Sequence, residues 1–418
     1  MAANHARATG TGRSGKNSRV PLIVAIMAVI VLIELFAIFR FSACSSEPVE
    51  NEAGFSEDPV DIVYRAPLDG ITYRISADEV WDIPEEDGVF GFSLLQAGFE
   101  EYISEDSEVQ ADDETAGRSH DHSEDPTVET EEDGEDSSAA SVIPTVPSAL
   151  KNAVADAEDS YADDDHTFGF LLMDLETGRG FAYNIDEEFY GASSFKAPFA
   201  AFICEKYLET EEESPDDQMY TSGRGIDYIP ASLRVEDLIN QTITYSDNSA
   251  YGVLRQNFGY TETFERWLGS LGMEPSQYAG ETWYPTYSVR EAAVFWADIW
   301  NYIESDGEYS EWLAGLFADT NLSALRDASD WAAEDLAADL NVDVLNKAGW
   351  IYDVDYEAII DNGIIYVDGS PYLMCLSTNA PYNDANFEEL TELAYSILMN
   401  AEVLQTEPSD EDNAEESD

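Results

Sequence analysis

The chain has 418 residues, 44% of them apolar and 12% aromatic, and sets 87 Asp and Glu against 19 Lys and Arg for a formal charge of -68 at pH 7. That length suits one large domain with appendages or two domains, and the apolar share suffices for a packed core. The charge excludes nucleic acid, which a polyanion repels, and disfavours adsorption to anionic lipid; it reads as solubility or adaptation to salt rather than a cation site.

Arg7, Arg13, Lys16 and Arg19 precede an apolar run from Val20 to Phe39 broken by Glu34. At about 1.5 Å per helical residue such a run spans roughly 30 Å, the thickness of a bilayer core. Residues 1–19 are therefore expected to be cytoplasmic, residues 20–39 a transmembrane anchor, and all that follows extracytoplasmic at the cell membrane. Phe41-Ser42-Ala43-Cys44 is a weak match to a lipoprotein cleavage site, and an uncleaved anchor is the stronger expectation. Residues 40–104 are expected to form a small extracytoplasmic segment with short strands at Val60–Tyr64 and Val89–Leu95. Residues 105–146, rich in Asp, Glu, Ser and Thr, read as a disordered acidic linker, and residues 405–418 as an acidic disordered tail.

The folded core is expected over residues 147–404. A helix from Pro147 to Tyr161 is followed by a hairpin, Phe168–Asp174 and Phe181–Asn184, turning at Glu176–Gly180. Ala197–Leu208 reads as a buried helix, and Val235–Asn240, Ser249–Phe258 and Val289–Ile303 as amphipathic ones, with Trp296 and Trp300 in the core. Strands are expected at Ala358–Ile360, Gly363–Val367 and Tyr372–Ser377, then a helix at Phe387–Asn400. Strands at both ends with helices between them give an α+β domain whose antiparallel sheet is built from both termini and flanked by helices. Of the cysteines Cys44, Cys204 and Cys375, the last two read as buried apolar groups, and no disulfide framework is implied.

Of the four histidines, only His166 lies where it could serve a folded site, so a Ser-His-Asp triad is poorly supported. No Gly-x-Ser-x-Gly elbow and no Gly-rich phosphate loop is present, and His120 and His122 make no credible metal site, so no metal or cofactor is expected. With only five lysines in the chain, Ser193-Ser194-Phe195-Lys196 is informative. The spacing puts hydroxyl and amine on one helical face, and a desolvated amine can lose its proton near neutral pH. A capped helix with a surface lysine fits the same four residues. A second match, Ser148 to Lys151, reads as a helix cap with an exposed lysine.

Ser193-x-x-Lys196, Ser246-Asp247-Asn248 and Lys347-Ala348-Gly349, in this order, resemble the signature set of class A β-lactamases and the wider penicillin-recognising serine hydrolases. The resemblance implies that family's fold and an acyl-enzyme on Ser193, with Lys196 as base and Ser246 as proton relay. It also implies that Asn248 and Lys347 hold the substrate, that Gly349 lets it approach the strand, and that the amides of Ser193 and Trp350 form an oxyanion hole. The substrate would be a small molecule or peptidoglycan-like, with β-lactam hydrolysis ahead of D,D-peptidase or transpeptidase activity and of a catalytically weak wall- or ligand-binding module. Two departures stand out. Ala348 sits where a hydroxyl residue is usual, and the stretch from Gly272 to Ser288 is too short for the loop that carries a water-activating glutamate. Glu281 and Glu274 are the candidates for that base, though each reads more readily as a plain surface carboxylate. Trp283 and Tyr284 are candidates for lining the cleft.

Overall fold

A computed structural model describes residues 74–94, 143–162, 166–305, 307–335, 341–353 and 356–404. The expected anchor at 20–39, Cys44, the strand at Val60–Tyr64 and the tail lie outside the described residues; among those described, no helix is long and apolar enough to cross a membrane. In chain order the first elements are α1 (Ala77–Trp81), β1 (Phe90–Ser93), α2 (Ser148–Ala162), β2 (Phe168–Asp174), β3 (Arg179–Tyr183) and β4 (Glu188–Tyr190). A 3-10 turn, Ala192–Phe195, runs into α3 (Lys196–Ile203) and a π-helical turn, Cys204–Leu208. Next come α4 (Val235–Thr244), α5 (Asn248–Phe258), α6 (Glu262–Ser270), α7 (Pro275–Tyr278), β5 (Thr286–Ser288), α8 (Val289–Ile303), α9 (Ser310–Ala318) and α10 (Ala324–Asp335). The chain closes with β6 (Val342–Asp353), β7 (Tyr356–Val367), β8 (Ser370–Thr378) and α11 (Asp384–Leu398).

Six strands form one antiparallel sheet in the order β1-β3-β2-β8-β7-β6. Every residue of β2 is buried. Leu171 and Met173 join a core shared with α3, α4, α5 and α8, whereas Phe168, Phe170 and Leu172 pack with α2 and α11. Alternation along the strand thus feeds two cores, one on each side of the sheet. Trp296 and Trp300 lie in the first of them, and Cys204 and Cys375 are buried free thiols.

Residues 74–94 do not form a separate segment. Phe90 and Phe92 are buried, and β1 pairs with β3 as the outer strand of the sheet. An edge offers unpaired backbone groups, and a short alternating strand satisfies them. Arg290 secures the same segment, donating from Nη1 to the carbonyls of Val80, Trp81 and Ile83 while its Nε and Nη2 grip Asp186. Gly91 packs so closely on the Pro144 carbonyl that a Cβ there would lie 2.0 Å from the oxygen. The chain therefore leaves the sheet just after β1 and returns to it at Pro144.

The late strands also differ from expectation. Ala358–Ile360 and Gly363–Val367 are parts of one strand, β7, and Lys347-Ala348-Gly349 lies in the middle of β6. Asp361 and Asn362 read as a break because a buried carboxylate needs partners no pattern reveals. The partners exist: Asp361 accepts from Asn346 Nδ2 at 2.6 Å, Ser323 Oγ at 2.9 Å and the Leu325 amide at 3.1 Å, and burial raises its carboxyl to about 6. Asp361→Ala strands these three donors and is expected to cost about 2–4 kcal/mol. Urea unfolding checks this, and a change below about 0.5 kcal/mol contradicts it. Ser148, expected to cap α2, is instead its first helical residue, and Lys151 is exposed as anticipated.

Candidate active site

Ser193 and Ser194 are neighbours with opposite environments. The Ser194 hydroxyl is buried and committed to the Gly191 carbonyl and the Tyr287 hydroxyl, each at 2.5 Å. Ser193 is half-buried, and its hydroxyl faces the Lys196 Nζ at 3.0 Å. Two features fix the turn that separates them. Ala192 holds a φ of 44°, a left-handed conformation costly for a residue with a Cβ. Phe195, fully buried, packs on Tyr278 and Phe295 with ring centroids 5.4 and 5.5 Å away. Phe195→Ala is expected to cost about 3–5 kcal/mol by thermal or urea unfolding; a loss under 1 kcal/mol contradicts that anchoring role.

Lys196 has no exposed surface. Its amine contacts the Ser246 carbonyl and Asn248 Oδ1, both at 2.6 Å, and the Ser246 hydroxyl at 3.2 Å. Burial pushes its pKa well below the usual lysine value; the positive charge of Lys347 pushes the same way, and Asp247 partly opposes them. A neutral amine has two N–H groups and one lone pair. The two carbonyl-type oxygens take the N–H groups, which leaves the lone pair for the Ser193 hydroxyl proton. The geometry therefore suits proton abstraction from Ser193.

The loop before α5 brings in the next two groups. Ser246 has a φ of 53°, a second strained residue at the site. Asp247 caps α5 by accepting from the Ala250 amide at 2.8 Å and also accepts from the Tyr228 hydroxyl. Asn248 Oδ1 further accepts from the Tyr284 hydroxyl at 3.1 Å, so its Nδ2 is the group left to donate to a ligand carbonyl. The rings of Tyr251 and Tyr284 lie 5.6 and 6.0 Å from Lys196 Nζ. Arg255, buried in α5, holds the loop that carries Tyr284 by donating to the carbonyls of Tyr278 at 2.7 Å and Thr282 at 3.0 Å.

Strand β6 forms the opposite wall. Lys347 is 2% exposed and donates to the Ala348 carbonyl at 2.8 Å. Burial lowers its pKa to about 8 despite the nearby Asp361. Gly349 lies against the nucleophile turn: a Cβ there would meet the amide nitrogens of Ser194 and Ser193 at 2.5 and 2.6 Å and the Gly191 carbonyl at 2.7 Å. These are backbone atoms that cannot swing aside, so the residue must be glycine. Gly349→Ala is expected to slow labelling of Ser193 by an uncharged fluorophosphonate about 10²-fold while the fold persists, since misplacing a reacting group by about 1 Å costs this much. Unchanged labelling contradicts the close packing. Trp350 is half-buried against Tyr382, centroids 5.7 Å apart.

Ser193, Lys196, Ser246 and Asn248 thus share one hydrogen-bond network, with Lys347 acting on it electrostatically and Gly349 touching its backbone. Glu281 and Glu274 do not join them. Both are exposed, and the Glu274 carboxylate accepts from Ser276 Oγ at 3.1 Å. His166 sits 4.0 Å from Glu357. Sequence reasoning placed Tyr284 only as a possible lining residue, named Asp247 only within its motif, and missed Tyr228, Arg255 and Asp361. The cap was the readable one, since Asp247 directly precedes a helical pattern. Among the described residues no group of His, Cys, Asp and Glu side chains is arranged to hold a metal.

The chain is 31% identical over 109 residues to Beta-lactamase ROB-1 of Haemophilus influenzae, covering 25% of this chain and 36% of the relative. It is 28% identical over 113 residues to a Beta-lactamase of Bacillus subtilis (strain 168), covering 26% and 37%. The aligned stretches thus span little more than a third of these relatives. An ancestral class A β-lactamase structure is similar with a TM-score of 0.47 and 22% identity, over 60% of this chain and 99% of that one. The profile of the beta-lactamase enzyme family matches residues 149–398, the greater part of the chain, and to that family the chain belongs.

Proposed function

We propose that the chain is a serine hydrolase that forms an acyl-enzyme on Ser193 with a β-lactam or a related amide or acyl bond. Ser193 attacks the carbonyl carbon and Lys196 takes its proton. Ser246 passes a proton to the leaving nitrogen, Asn248 and Lys347 hold the substrate, and the amides of Ser193 and Trp350 receive the oxyanion. The observation that carries this reading is the fully buried Lys196 amine 3.0 Å from the Ser193 hydroxyl. To test it, the chain and its Ser193→Ala variant are incubated with labelled penicillin and a chromogenic cephalosporin, then weighed intact. One adduct per chain, absent from the variant, is expected. An adduct that survives the substitution, or none in either protein, contradicts it and favours a wall- or ligand-binding module.

A second reading, a cell-wall D,D-peptidase or transpeptidase, draws support from the deacylation side of the site. Among the described residues no carboxylate hydrogen-bonds to Ser193, Lys196, Ser246 or Asn248; the hydroxyl of Tyr284 meets Asn248 instead. We further propose that residues 20–39 anchor the chain in the cell membrane with the domain outside, near a peptidoglycan-like substrate. The apolar run and its basic flank support this placement.

A further inference from the structure

Three side chains of α5 meet the loop that follows α7. Asn248, Tyr251 and Arg255 are spaced by three and four residues, which aligns them along one side of the helix. The Tyr251 hydroxyl donates to the Trp283 carbonyl at 2.6 Å. Arg255 Nη2 donates to the loop twice, to the carbonyls of Tyr278 and Thr282. The third contact runs the other way, from the Tyr284 hydroxyl to Asn248 Oδ1 at 3.1 Å. Lys196 Nζ donates to that same oxygen at 2.6 Å. Two donors on one oxygen fix which way the amide faces and hold Nδ2 as its donor side.

Arg255 is poorly placed to serve stability alone. It has no exposed surface, and its Nε finds no hydrogen-bond partner among the described residues. A buried cation with an unmet donor is destabilising where a well-packed apolar side chain of similar volume would not be. Its charge is met by carbonyl oxygens and by ring faces, with the guanidinium carbon 4.7 Å from the centroid of Phe199, 5.3 Å from Phe264 and 5.9 Å from both Phe195 and Tyr251. Phe195 belongs to the nucleophile turn and Phe199 to α3, one on each side of Lys196 in the chain. The guanidinium therefore touches both the segment that carries Ser193 and Lys196 and the loop that carries Tyr284.

We propose that Arg255 is a positioning residue for acyl transfer to Ser193: it sets the 278–284 loop so that Tyr284 locks the Asn248 amide, and the ligand carbonyl then meets Nδ2 in one fixed place. This rests on the roles proposed above for Ser193 as nucleophile and Asn248 as a substrate-holding group. In the step itself Ser193 Oγ bonds to the carbonyl carbon, the bond to the leaving nitrogen breaks, and the hydroxyl proton passes by way of Lys196 and Ser246 to that nitrogen. Lysine offers a compact ammonium in place of the planar fork and is not expected to hold both carbonyls.

The test is a double-mutant cycle on the full chain: native, Arg255→Lys, Tyr284→Phe and the two together, each acylated by labelled penicillin over a range of concentrations. Each single change is expected to raise the concentration for half-maximal acylation about tenfold, the worth of one hydrogen bond to the ligand, with a smaller change in the limiting rate. The double variant should be no worse than the singles, because Arg255 acts through Tyr284. A folded Arg255→Lys chain acylated like the native one overturns the proposal and leaves Ser193 and Asn248 in their roles. So do losses confined to the limiting rate, or losses that multiply to about a hundredfold in the double variant. If Arg255→Lys unfolds, Tyr251→Phe, which loosens the same loop at the Trp283 carbonyl, takes its place in the cycle with the same expectations. A native chain that takes no penicillin at Ser193 removes the proposed function, and this proposal falls with it.

Discussion

Lys196→Met is expected to slow acylation of Ser193 by about 10³-fold or more and, at pH 7, to raise the melting temperature. A positioned general base contributes about 10²–10⁴ to a rate, and Met leaves no group that can take the hydroxyl proton. The stability change runs the other way for a reason on the same page. Burial lowers the pKa of Lys196 in the folded chain. The unfolded chain therefore holds that proton more tightly, and folding is opposed at every pH below the ordinary lysine value, with the cost disappearing as the pH rises above it. Met keeps the volume and removes the cost. Acylation rates by intact mass and melting curves at pH 7 check both halves. A variant that loses activity only because it unfolds contradicts the assignment of Lys196 as base.

Once formed, the acyl-enzyme is expected to persist. Releasing the acyl group requires a water, and a base to take its proton. Glu281 and Glu274 are exposed, and Tyr284, whose hydroxyl proton burial holds more tightly, occupies the position beside Asn248. Without a base the second half-reaction forgoes about 10²–10⁴ in rate, so it should be slower than the first by a comparable factor. A mass time course after removal of excess donor should show the Ser193 adduct decaying over minutes or longer. Release that keeps pace with acylation contradicts this, and Glu281→Gln then asks whether that carboxylate reaches the site in the acylated chain.

Much of the site could be read from the sequence because lysine is scarce here. When few amines exist, one placed a helical turn after a serine stands out, and the order of the three short motifs did the rest. The helices α5 and α8 and the hairpin β2–β3 were legible from their apolar periods. What stayed hidden depends on contacts between distant parts of the chain. Phe92 finds its partner Gly180 across the acidic stretch, and nothing local says that a short strand completes a remote sheet. Asp361 looked like a break in a strand because its three donors lie on Asn346, Ser323 and Leu325. Tyr284 reaches Asn248 only because Arg255 fixes its loop.

The proton balance of Lys196 is read most directly from the pH dependence of Ser193 labelling by an uncharged fluorophosphonate, in the native chain and in Lys347→Met. The native rate should rise through a midpoint well below the ordinary lysine value of 10.5 and then level off. In Lys347→Met that midpoint should move upward, because a neighbouring positive charge that disfavours the Lys196 ammonium is gone. A rate that climbs only near 10.5, or a midpoint indifferent to Lys347, would mean that Lys196 is an ordinary charged lysine and not the base.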